Sequence, residues 1–75
     1  MTLEREISSM AQEELCERYP NSKSEVTMVQ SYYLPSTGAS HFLIIAQVNN
    51  RLCTGSGASA SKAVRALIQS IEEGR

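Results

Sequence analysis

Little in this sequence can hold a metal ion or arm a nucleophile. It has one histidine, His41, and two cysteines, Cys16 and Cys53, which lie far apart and form no C-x-x-C pair. A structural zinc site needs four such ligands in close groups. A Cys–His pair needs a third orienting group and a pocket. Metal chemistry, thiol catalysis and a bound cofactor are therefore not expected. Small secreted domains usually carry more cysteines, in tight sets of even number. Two isolated ones fit reduced thiols in the cytoplasm, although a single disulfide is arithmetically possible. No apolar run approaches the roughly 18 residues of a membrane span. The N-terminus is amphipathic and carries glutamates, unlike a signal peptide. A basic excess is missing too. Seven Lys and Arg against eight Asp and Glu leave a net charge of −1 and a pI near 5.7, which argues against a general nucleic-acid binder.

What is present suits one small globular domain spanning residues 1–75. Hydrophobic residues make up 41% and charged residues 20%, too apolar for a disordered chain. A chain of this length buries only about 60% of its unfolded surface, so modest stability is expected. Thr2 to Arg18 reads as a helix. Leu3, Ile7, Met10, Ala11 and Leu15 recur at three- and four-residue steps, and Cys16 and Tyr19 extend the stripe. Thr2 is a candidate N-cap, and Glu4 and Glu6 suit the positive end of the helix dipole. Pro20 and the polar run after it end the helix.

Val26 to Leu34 is rich in β-formers. Pro35 to Ser40 is turn chemistry, and Phe42 to Val48 is the strongest strand. Asn49-Asn50 makes a two-residue hairpin turn, because Asn tolerates positive φ. Arg51 to Thr54 returns, and Gly55-Ser56-Gly57 is expected to break the sheet. Ser59 to about Glu73 is a second helix with Ala63, Val64, Leu67, Ile68 and Ile71 inward, Ala60 near the entry, and Ser59 or Ser61 as cap. The result is an α+β domain, ordered α-β-β-β-α. Its three-stranded antiparallel sheet carries both helices on one face.

Alternation then assigns the two sheet faces. If Phe42, Ile44, Ala46 and Val48 face the helices, Leu43 and Ile45 face away. On the first strand Val26 and Met28 are expected inward, with Val29 outward and Tyr33 joining the outer face. Leu43, Ile45, Val29 and Tyr33 thus form an apolar patch suited to a protein partner or to self-association as a dimer. The strand beginning at Arg51 offers a second route, by edge-to-edge pairing.

The whole pattern resembles the double-stranded RNA-binding domain family, over about Met10 to Ile71. The carrying residues are Glu14-Leu15-Cys16-Glu17 in the first helix, Gly38-Ala39-Ser40-His41 between the first two strands, and the alternation of Phe42, Ile44, Ala46 and Val48. Gly55-Ser56-Gly57-Ala58-Ser59 then leads into the second helix, with Ala63 at the alanine of the family's Lys-Lys-x-Ala-Lys motif. The three lysine positions of that motif are Ala60, Ser61 and Val64 here. The resemblance implies a non-enzymatic domain that recognises structured or double-stranded RNA by shape. The implied contacts are Glu14, His41, Ser59, Lys62 and Arg65.

The charge distribution bears on that expectation. Residues 1–25 carry six glutamates against Arg5, Arg18 and Lys23, whereas residues 26–71 carry Arg51, Lys62 and Arg65 with no acid. Phosphates favour a helix N-terminus with Lys or Arg beside it, but useful duplex binders neutralise about 6–10 phosphates. Strong binding by one copy is therefore not expected. The alternative is a protein-binding module, a small inhibitor or adaptor, on the same fold. Gly55-Ser56-Gly57-Ala58-Ser59-Ala60 also fits a dinucleotide fingerprint. That fingerprint needs a following parallel strand and an acid about 20 positions on, and neither follows in these 75 residues. The glycines are expected to serve the strand-to-helix turn.

Overall fold

The computed structural model describes residues 3–74, with side chains from residue 4. Thr2 as a cap, the side chain of Leu3 in the apolar stripe, and Arg75 lie outside the described residues. Helix α1 spans Leu3–Arg18, strands β1, β2 and β3 span Ser24–Leu34, Ala39–Val48 and Arg51–Gly57, and helix α2 spans Ala60–Glu73. The sheet is antiparallel in the order β1-β2-β3. Both helices cover one face of it, and a single cluster of buried residues fills the space between.

Helix α1 buries Ile7, Ala11 and Leu15, and Tyr19, just past its end, continues the four-residue steps. Met10 and Cys16, expected in that stripe, are exposed instead. The stripe is narrow because one side of α1 lies on the sheet and its flank meets α2 only edgewise. Gln12 fixes the helix to the margin of the sheet. Its Nε2 donates to the Ser24 carbonyl at 2.9 Å, and its Oε1 accepts from the Val26 amide at 3.0 Å. One side chain therefore satisfies a donor and an acceptor of β1 that no strand covers.

The β1–β2 ladder slips between Val26 and Met28. Val26 pairs with Ala46 and Met28 with Ile45, leaving Thr27 as the extra residue. Thr27 Oγ1 donates to the Ile45 carbonyl at 3.0 Å. A bulge of this kind reverses which side chains face inward beyond it. Val29, opposite Ile44, therefore packs against the core, and Met28 faces out. This corrects the outward expectation for Val29 and the inward one for Met28.

Asn49 and Asn50 have φ of 52° and 66°, which makes the β2–β3 turn a primed two-residue hairpin. Asn49 Oδ1 also accepts from the Lys23 amide at 3.1 Å, tying that turn to the α1–β1 loop. The sheet does not break at Gly55. β3 runs on to Gly57, and the two glycines are demanded by α2 rather than by a strand end. A Cβ on Gly55 would lie 2.2 Å from the Leu67 backbone nitrogen, and one on Gly57 would lie 2.7 Å from Lys62 Cβ. The backbone of α2 thus rests almost directly on β3, with Ala63 and Leu67 fully buried and Val64 and Ile71 nearly so.

The helices run in the same direction. The last turn of α1 meets the last turn of α2 where Tyr19 Oη donates to Glu72 Oε1 at 2.8 Å. Gly57, at the far end of β3, meets the first turn of α2. The N-terminal end of α2 therefore lies toward the β1–β2 hairpin, which continues past Phe42 to a turn of residues 35–38 with Gly38 at φ 69°.

Candidate functional site

The two faces of the sheet carry different chemistry. On the helix side, α2 begins with Ser59 as N-cap. Its backbone is extended, and its Oγ accepts from the Lys62 amide at 3.3 Å. Ser59 Oγ also lies 3.5 Å from Ser61 Oγ. Lys62 and Arg65 stand exposed on the first two turns, and the first turn holds no acidic residue. The unpaired N–H groups of such a helix start favour an anion, and two nearby cations add to that preference.

Glu14 and Arg65 come together across a groove of about 270 Å³ between the helices. Met10, Val64 and Ile68 form its apolar floor, and Glu14, Arg18, Ser61 and Arg65 its polar rim. Glu14 is not free there. Its Oε1 accepts from Arg18 Nε at 2.8 Å, a helical pair four residues apart. That bond, with the carboxylate charge behind it, raises Arg18 above the ordinary guanidinium value. The pair neutralises itself, so this part of the groove offers little net charge.

The remaining expected residues separate. His41 stands opposite Tyr32 on the open face, away from both helices, and the two rings stack with centroids 5.7 Å apart and planes 20° from parallel. It therefore does not join Ser59, Lys62 and Arg65 on one surface. Leu43 and Ile45 do face outward and are half-buried. Tyr33 does not join them. Counting onward from the inward Val29, alternation places it on the helix-side face, where it is 62% exposed because the hairpin has run past the packed core. Arg51 reaches over the end of α2, where its Nη1 donates to the Gly74 carbonyl. It braces the fold rather than lining the open face.

Three residues of the open face escape a sequence reading: Met28 at 50% exposure, Tyr32 at 39% and Leu52 at 69%. A signal for Leu52 was present, since a two-residue turn at Asn49-Asn50 forces it opposite Gln47. Met28 and Tyr32 change faces through the bulge at Thr27. Among the described residues, no group of three or more His, Cys, Asp or Glu side chains is placed to hold a metal ion. No described helix is long and apolar enough to cross a membrane. Compared with known protein families, curated proteins and solved structures, the chain matches none.

Proposed function

We propose that this chain is a non-enzymatic binding domain that recognises structured or double-stranded RNA by shape, weakly, with the start of α2 as its main contact. The observation that carries this reading is the exposure of Lys62 and Arg65 beside the Ser59 cap on an acid-free first turn. Duplex RNA is read through phosphates and 2′-hydroxyls rather than base edges. Ser59 and Ser61 supply hydroxyls next to the two cations, and the projecting hairpin turn adds Ser36 and Thr37 toward the same end of the molecule. The resemblance to double-stranded RNA-binding domains points the same way. The free thiols of Cys16 and Cys53 suit a reducing compartment, and we place the protein in the cytoplasm on that ground.

Two cations set the scale. Each neutralised phosphate contributes about 0.9 to the slope of log affinity against log salt, so a slope near −2 is expected rather than the roughly −5 to −9 of strong binders. Gel shifts with a duplex of about 20 base pairs, run at low and moderate salt, test the reading. Binding at low salt that disappears in Lys62→Ala with Arg65→Ala supports it. No wild-type binding at low salt ends it. The alternative, a protein-binding surface, is favoured by a separate observation, the apolar side of the sheet, on which Glu25 stands only at the edge.

A further inference from the structure

Among the described residues, nothing packs against the open face of the sheet. Its apolar residues run diagonally across three strands: Tyr32 at the hairpin end, Leu43 and Ile45 on the central strand, Met28 beside Ile45, and Leu52 at the opposite corner. Between them stand Gln30, Gln47, Thr54 and Ser56, all uncharged. Among the described residues, the one charged residue on this face is Glu25, at its edge opposite Gln47. None of the described lysines and arginines shares it. Arg5, Arg18, Lys62 and Arg65 are on the helices, Lys23 precedes β1, and Arg51 turns toward Gly74.

We propose that this face is the contact surface for a second copy of the same chain, packed sheet against sheet about a two-fold axis. The inference is independent of the RNA reading. Charge selects the occupant. A nucleic acid or a strongly charged protein gains no Coulomb attraction from a face with one acid and no base, and the stacked Tyr32 and His41 rings lack the flanking cations that a base-stacking platform uses. An identical face meets no array of like charges. Geometry agrees. A half-turn about an axis crossing the central strand between Leu43 and Ile45 lays each of these against the other in the partner, as a self-complementary contact requires.

The available area sets the strength. With β2 ten residues long and three strands in the sheet, spacings of about 3.3 Å per residue and 4.8 Å between strands give a face roughly 33 Å by 10–15 Å. Covering it in two copies removes roughly 650–1,000 Å² in total, the size class of weak, transient contacts. The dimer is therefore concentration-dependent.

Sedimentation equilibrium of the full chain over about a hundred-fold range of concentration tests the proposal. The wild type is expected to pass from monomer to dimer mass. Met28→Lys with Leu52→Lys places new cations on exposed positions that the fold tolerates, and it is expected to weaken the dimer by about a hundred-fold with an unchanged circular dichroism spectrum. Lys62→Ala with Arg65→Ala leaves the dimer intact. A wild type that stays monomeric throughout overturns the proposal and leaves the face to a partner of different sequence. A Met28→Lys, Leu52→Lys variant as dimeric as wild type overturns it in favour of another contact, such as the β3 edge.

Discussion

Substituting Gly55 with alanine tests the way α2 is seated on the sheet. The added methyl carbon would stand 2.2 Å from the Leu67 nitrogen, 2.5 Å from its Cα and 2.6 Å from the Ala63 carbonyl oxygen, all of them backbone atoms. No rotamer change relieves contacts of that kind, so α2 has to lift by about 1 Å along much of its length. Lifting it pulls Ala63 and Leu67, both at 0% exposure, away from β2 and β3. Overpacking a core by one methyl costs roughly 1–3 kcal/mol, and rigid backbone neighbours put Gly55→Ala at about 3 kcal/mol. A chain of this size has a total stability of only about 4–11 kcal/mol. With a urea slope of about 1 kcal/mol per molar, the unfolding midpoint falls by about 3 M. Urea titrations followed by far-ultraviolet circular dichroism measure this directly. Gly57→Ala is expected to cost less, about 1–2 kcal/mol, because its contacts with Lys62 Cβ, the Ala63 nitrogen and the Lys62 carbonyl carbon are longer, at 2.7–2.8 Å, and lie in the first turn of the helix. Ser56→Ala, on the opposite side of the strand, is expected to stay within about 0.5 kcal/mol. A Gly55→Ala midpoint within about 0.5 M of wild type refutes the direct seating of α2 on β3.

Two further substitutions probe smaller contacts. Gln12→Met keeps the length of the side chain but removes both of its bonds to β1. It is expected to cost about 1–2 kcal/mol and to speed amide exchange at Val26, so an unchanged Val26 rate in nuclear magnetic resonance refutes the role given to Gln12. Glu14→Gln releases the exposed Arg18 from its pair. It should move stability by less than about 0.5 kcal/mol, while steepening the salt dependence of RNA binding by about 0.9. An unaltered slope in that variant shows that Arg18 reaches no phosphate.

The order of elements could be read from the chain because each carries its own period. The four-residue steps of Ile7, Ala11 and Leu15, the alternation from Phe42 to Val48 and the Asn49-Asn50 turn all agree with the observed structure. The inward and outward phase of β1 could not be read. Val26, Thr27, Met28 and Val29 are all acceptable on a pleated surface, so nothing local marks Thr27 as the extra residue, and the choice is made by what Ala46 and Ile44 bring from the neighbouring strand. The role of Gly55 was hidden for a related reason. A glycine that ends a strand and one that admits a helix look alike until the helix is placed. Of the candidate surface residues, Lys62 and Arg65 were implied by the family resemblance, and both stand exposed on the first two turns of α2. Tyr33 depended on the phase of β1 and changed faces with it, whereas His41 keeps the outward side that an inward Phe42 sets.

The hold of Gln12 on Ser24 and Val26 has a consequence for how this protein fails. Where the glutamine occupies the outer margin of the sheet, at Ser24 and Val26, a foreign strand finds no free bonds, so pairing along that stretch of β1 must wait until the first helix swings off. The glutamine thus works as a safety catch. Conditions that loosen α1 before α2, such as proteolytic trimming of its first turns, are the ones that should turn a well-behaved solution cloudy.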